Sequence, residues 1–269
     1  MKNTIDNENT KNRNLNNPRI NYFSTTQALT MFFTGFLGLN ILSYLVYSII
    51  LKLFPNMTSI DLSTFTNFIS YVILAASLIA ISYSFNKNKF MQNFIRLRDK
   101  KLWLFILYGL ILIFIVAIII SNIQQHLYYW LEIDATTNAN QEAIDLMLTQ
   151  HPILILIMVS VLAPIVEEIA YRQGLFESIR PKSQILAYIA TILIFSSIHF
   201  DWIGSFYDSE NGIWTINYDT LLIELIALPS YIGGGAVLSY IYDHENNVIP
   251  GIFVHGLYNM IGILIVALS

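Results

Sequence analysis

Cysteine is absent from all 269 residues, so disulfides, thiolate nucleophiles and thiolate metal sites are excluded. Charge is scarce as well. Asp, Glu, Lys and Arg make up 12% of the chain, about half of the roughly 25% found in soluble domains. No basic footprint for nucleic acid appears, which removes that class of partner. What the chain holds in quantity is apolar side chains, 55% of the total, with a mean hydropathy of +0.56. Apolar runs of about 18 residues or more recur, each long enough to cross a hydrocarbon core as a helix. The expected fold is an all-α, polytopic membrane helix bundle with the lipid bilayer as its solvent.

Residues 1–24 carry eight Asn and too few apolar groups for a core, and they read as a disordered tail. Apolar stretches at 27–53, 64–85, 102–121, 151–178, 183–199, 220–242 and 248–268 predict seven transmembrane helices. The first stretch is too long for a signal-peptide core and lacks a small-residue cleavage site, so it is expected to remain as a span. Pro229 and the run Gly233, Gly234, Gly235 predict a kink or split in the sixth, and a split raises the count to eight. The glycine run reads first as a site of close helix packing. Three units follow: the tail at 1–24, three helices with their loops at 25–149, and a core at 150–269.

The charges are sorted by loop. Lys2, Lys11, Arg13 and Arg19 lie in the tail, Lys87, Lys89, Arg96, Arg98, Lys100 and Lys101 after the second span, and Arg172, Arg180 and Lys182 after the fourth. Only Lys52 falls on the other side. There, 122–150 and 200–219 hold Glu132, Asp134, Glu142, Asp145, Asp201, Asp208, Glu210 and Asp219 with no Lys or Arg. The positive-inside rule predicts a multi-pass protein of the cell membrane with a cytoplasmic N-terminus.

A charged group at the centre of a span costs roughly 2.5–3.5 kcal/mol on insertion scales, so ionisable residues inside apolar helices mark functional candidates. They concentrate in the second half of this chain. The fourth span contains Glu167, Glu168 and Arg172, the fifth ends at Phe195 and His199, and the seventh contains His255 and Asn259. Glu168 and Arg172 are four apart with the acid N-terminal, the better order for an ion pair along a helix. Glu167 points about 100° away and lacks that partner. One carboxylate therefore reads as structural and the other as chemical. His255 and Asn259, also four apart, present an imidazole and an amide from one helix face, two donors suited to a developing oxyanion. Counted from the turn at Pro181, Glu167 and His199 lie about 21 and 27 Å deep, whereas His255 and Asn259 lie only about 8 and 14 Å beyond Pro250. Tilt, or a helix that begins before Pro250, is needed to bring the four level. Tyr171 reads as an interfacial anchor and Glu224 as a snorkelling or capping residue.

The order Glu-Glu-x-x-x-Arg, Phe-x-x-x-His and His-x-x-x-Asn, here Glu167, Glu168 and Arg172, then Phe195 and His199, then His255 and Asn259, resembles the CAAX protease and bacteriocin-processing family. The resemblance covers roughly 150–265 and includes the Gly-rich stretch and the segment after Pro250. It implies an intramembrane, glutamate-dependent endopeptidase acting on a membrane-associated peptide or lipidated substrate. In that pattern Glu167 and His199 orient and deprotonate water, His255 with Asn259 stabilises the oxyanion, and Glu168, Arg172 and Phe195 support the site. No cofactor is expected. Two His and a Glu also make a zinc set, the alternative, but His255 is better employed beside Asn259. A second reading keeps the fold without catalysis, as a bacteriocin-immunity factor or a regulator of a membrane partner. A proton-coupled transporter is disfavoured by the lack of an internal repeat of the polar helices.

Overall fold

A computed structural model describes residues 22–133, 138–208 and 211–268; the Asn-rich segment through residue 21 lies outside them. Every apolar stretch forms a helix: α1 (Thr25–Leu53), α2 (Ser59–Phe85), the short α3 (Lys87–Ile95), α4 (Lys100–Trp130), α5 (Ala139–Gln150), α6 (Pro152–Ile179), α7 (Gln184–Ser197), the short α8 (Trp202–Phe206), α9 (Tyr218–Glu245) and α10 (Val248–Leu268). Six helices, α1, α2, α4, α6, α9 and α10, are long and apolar enough to span a bilayer, and α7 is a shorter apolar helix of 14 residues. The chain is a multi-pass membrane protein. In lipid the backbone has no water to bond, so an apolar stretch of this length satisfies its peptide groups only by coiling.

Helix starts are written in the sequence. Ser24 accepts from Gln27 N while the Gln27 side chain accepts from Ser24 N, a reciprocal cap at the start of α1. Thr58 caps α2, Asn138 caps α5 and Ser183 caps α7 by the same side-chain logic. Between α9 and α10 the chain turns at Asn246, whose φ of 47° is left-handed, a conformation asparagine tolerates better than most residues. Lys89 donates to the Asn246 carbonyl from α3, and Arg96 pairs with Glu245 at 2.5 Å, which ties that turn to the loop after α2.

Two departures from the sequence reading bear on helix packing. The predicted third span ends at residue 121, yet α4 continues to Trp130. Its polar residues look like a terminus but serve packing: Gln124 Nε2 donates to Ile226 O at 2.7 Å and Ala227 O at 3.2 Å, and Gln124 Oε1 accepts from Ser230 Oγ at 3.0 Å. Those carbonyls lie three and two residues before Pro229, beside the Leu225 carbonyl that the proline leaves without its helical donor. The sixth apolar stretch is accordingly one continuous helix through Pro229. Substituting Gln124→Leu is expected to lower stability by about 1–3 kcal/mol, because Ser230 Oγ loses its acceptor and the Ile226 and Ala227 carbonyls lose a side-chain donor. Thermal unfolding of the purified protein in detergent checks this.

At the centre lies α6. From Val166 to Ser178 every residue is buried, including Glu167, Glu168, Arg172, Gln173 and Glu177. The helix contains two π-helical turns, Met158–Leu162 and Glu168–Phe176. Such turns insert a residue into the ladder and re-aim side chains, and they gather at functional sites. Around α6 stand α1, α2, α7, α9 and α10, with isoleucines of α4 such as Ile111, Ile115 and Ile118 about half exposed on the outer face.

Candidate active site

The motif residues meet in the interior, around α6. Glu168 and Arg172, both fully buried, pair one helical turn apart, Oε1 to Nη1 at 3.2 Å. Arg172 also donates from Nη2 to Gly235 O at 3.3 Å, and its guanidinium lies 4.3 Å over the Phe195 ring. Arg172 was counted above with the cations of a loop. It belongs instead to the core, because its partners are a carboxylate, a carbonyl and an aromatic face. Tyr171, read as an interfacial anchor, is likewise buried, edge-on to Phe195 at 5.4 Å and to Phe32 at 5.9 Å.

His255 on α10 lies between the two glutamates. Its Nδ1 is 3.1 Å from Glu168 Oε1 and its Nε2 is 3.8 Å from Glu167 Oε2. Since Glu168 is already matched by a cation, Nδ1–H donates to it, and Nε2 is turned toward Glu167. Glu167 Oε2 is buried and has no hydrogen-bond partner among the described residues. It makes no pair with His199 within 4.0 Å, so the imidazole nearest to it comes from α10, not from α7. The start of α10 at Val248, two residues before Pro250, recovers only about 3 Å of the anticipated level difference; the residues meet because α10 crosses α6 where Glu167 and Glu168 project.

Two glycines permit that crossing. A Cβ at Gly251 would stand 2.7 Å from Glu168 Oε2, and one at Gly256 would collide with Ser160 O in the first π-turn. The same π-turn presents Val159 O, which accepts from Asn259 Nδ2 at 3.0 Å. An amide has two N–H bonds; spending one on the backbone fixes the orientation of the other. Substituting Gly256→Val is expected to push α10 off α6 and to cost about 1–3 kcal/mol from overpacking alone. Comparison of melting temperature with that of the wild type checks it.

His199 stands two residues beyond the end of α7 and is half-buried. Phe195 touches its ring at 5.2 Å and that of His255 at 6.2 Å, so one aromatic spaces the two imidazoles and also covers Arg172. On its other side His199 stacks against Tyr231 of α9, centroids 4.3 Å apart and planes 8° from parallel. Tyr231 Oη donates to Asn138 Oδ1 and accepts from Asn140 Nδ2, both at 3.3 Å, and Asn138 Nδ2 donates to the His199 carbonyl at 3.3 Å. Glu224, buried, accepts from Ala139 N at 3.0 Å and from Asn138, so it caps α5. Sequence reading missed Tyr231 and Asn138: one lies within a glycine- and proline-containing span, the other in a loop, and only the fold places them beside His199. Of the glycine run, Gly233 packs against Ile120 and Gly235 against Phe195, while Gly234 faces no atom within 4 Å among the described residues.

No group of three or more His, Asp or Glu placed to hold a metal ion is found among the described residues. A zinc centre would need His255 as a ligand through Nε2, which faces a single carboxylate, Glu167, at 3.8 Å; the Nδ1 contact with Glu168 is of the kind that supports a metal-bound histidine and does not weigh against one.

The fold and this constellation define a polytopic membrane protein with a buried Glu-Glu-Arg-His centre. Residues 149–261 match the family model for type II CAAX prenyl endopeptidase Rce1-like proteins, in agreement with the resemblance read from the motifs. No curated protein and no solved structure matches the chain.

Proposed function

We propose that the chain is an intramembrane endopeptidase that hydrolyses a peptide bond of a membrane-associated peptide or protein. The observation that carries this reading is the division of labour between adjacent carboxylates: Glu168 is paired with Arg172, whereas Glu167 has no Lys or Arg within 4.0 Å among the described residues and faces only the imidazole of His255 at 3.8 Å. A structural ion pair explains the first and leaves the second without a purpose.

In the proposed reaction, water attacks the scissile carbonyl carbon and gives its proton to the Glu167 carboxylate. Collapse of the tetrahedral intermediate breaks the C–N bond, and the proton passes to the leaving amine. Asn259, oriented by Val159 O, supplies a donor for the oxyanion, and His255, one turn away on α10 with its Nδ1–H held by Glu168, adds a second only when its Nε2 also carries a proton. His199 completes the polar wall and shares with Glu167 the orientation of water. No metal enters this scheme.

The test uses membranes containing wild type, Glu167→Ala or His199→Ala, supplied with membrane-associated peptides, with products read by mass spectrometry. Cleavage by the wild type alone supports the reading; three identical product patterns sink it. In a parallel series, a strong chelator is expected to leave the rate unchanged. Loss of cleavage that returns on adding zinc overturns the metal-free scheme.

A further inference from the structure

We infer that the site is entered from the acid-rich end of the bundle and that this end faces away from the cytoplasm, so that the substrate is a polypeptide segment presented on the extracytoplasmic side rather than a lipidated C-terminus delivered from within. The chemistry acted on rests on the proposed proteolysis; the side of entry does not.

The basic end is closed. Lys89, Arg96 and Arg180 converge on the turn after α9, through Asn246 O, Glu245 and, at 3.0 Å, Asp243. Beneath them Phe176 meets Tyr188 at 5.1 Å and Tyr242 at 5.9 Å, both edge-on, and Tyr242 Oη donates to the buried Glu177 at 3.1 Å. Between this plug and Glu167, α6 is buried on all sides.

The opposite end is recessed. At about 1.5 Å per residue the 14 residues of α7 span about 21 Å, against a hydrocarbon core of about 30 Å. Because α7 starts at Gln184, beside Arg180 and Lys182, the shortfall of about 9 Å falls wholly at its far end, where His199 stands. Exposure follows the same gradient: Glu167 and His255 are buried, while His199, Tyr231, Asn140 and Asn259 are half-buried. Asn138 and Asn140, at the start of α5, form the rim through their bonds to Tyr231.

Charge then sets the side. Lys87, Lys89, Arg96, Arg98, Lys100, Lys101, Arg180 and Lys182 belong to the closed end, whereas the described parts of 122–150 and 200–219 flank the recess, and the sequence of both segments contains acidic residues and no Lys or Arg. Loops rich in Lys and Arg stay in the cytoplasm, so the recess opens outward.

The absence of cysteine makes this directly measurable. Single-cysteine variants of the full chain, Glu142→Cys and Lys182→Cys at exposed positions of the two ends and His199→Cys in the recess, are treated with a charged, membrane-impermeant methanethiosulfonate in intact cells and after permeabilisation. Protection of the thiol from a later maleimide mass tag is the readout. Glu142→Cys and His199→Cys are expected to react in intact cells, and Lys182→Cys only after permeabilisation. The inference is overturned if His199→Cys reacts only together with Lys182→Cys, or fails to react under both conditions while Glu142→Cys reacts. Asn259→Cys, in the same recess, repeats the measurement should the His199 variant not accumulate. Labelling needs no turnover, so a protein that labels as expected but cleaves nothing refutes the proteolysis and leaves the side of entry standing.

Discussion

Glu167→Gln is expected to lower kcat for peptide cleavage by about 10²–10⁴-fold, the usual contribution of a positioned general base, with little change in KM. The substitution keeps the shape of the side chain and its place between α6 and α10, so substrate binding is undisturbed. What it removes is the ability to accept a proton from water. Stability should not fall and can rise, since burying a charge is costly and Glu167 Oε2 has no hydrogen-bond partner among the described residues to offset that cost. The pair of outcomes is diagnostic. A structural carboxylate would show the reverse, with a lowered melting temperature and residual activity that follows the amount of folded protein. Steady-state kinetics and thermal unfolding on the same preparation separate the two, and a Glu167→Gln protein that cleaves at the wild-type rate ends the general-base assignment.

Arg172→Met is expected to be the most destabilising single change in the site, by about 3–5 kcal/mol, because it leaves Glu168 as an uncompensated buried charge. The guanidinium is fully buried and makes three contacts at once, with Glu168, with Gly235 O and with the Phe195 face, so methionine replaces its volume and none of its polarity. The double change Glu168→Gln with Arg172→Met removes both charges and should recover a large part of the loss, since an apolar or neutral replacement of a buried pair is often nearly neutral. Activity should not return with stability, because His255 then lacks the carboxylate that accepts its Nδ1–H at 3.1 Å. Melting temperatures of the single and double variants decide the matter; equal losses in both would mean that the pair contributes through packing and not through charge.

The legible part of the site lay where chemistry conflicts with solvent. Glu167, Glu168, Arg172, His199, His255 and Asn259 stood out because ionisable and amide groups are expensive in oil, and the four-residue spacing of Glu168 and Arg172 gave their pairing from helix geometry alone. His255 shows where that reasoning stops. Spacing pairs residues along one helix, so it set His255 beside Asn259; the contact of His255 with both glutamates runs between α10 and α6 and depends on Gly251 and Gly256 letting two backbones approach. Tyr231 and Asn138 carry no local signal at all, since an aromatic in a span and an asparagine before a helix are ordinary where they stand.

The sequence by itself determined the solvent, the helices and the identity of the polar residues, because hydropathy, capping and the cost of burying charge are local properties read one segment at a time. Tertiary structure alone decided which imidazole faces Glu167, how Asn259 is held, and that α7 ends short beneath a rim drawn from α5. Those facts depend on how helices distant in sequence cross, and the crossing is set by packing across the whole bundle, which no single segment contains.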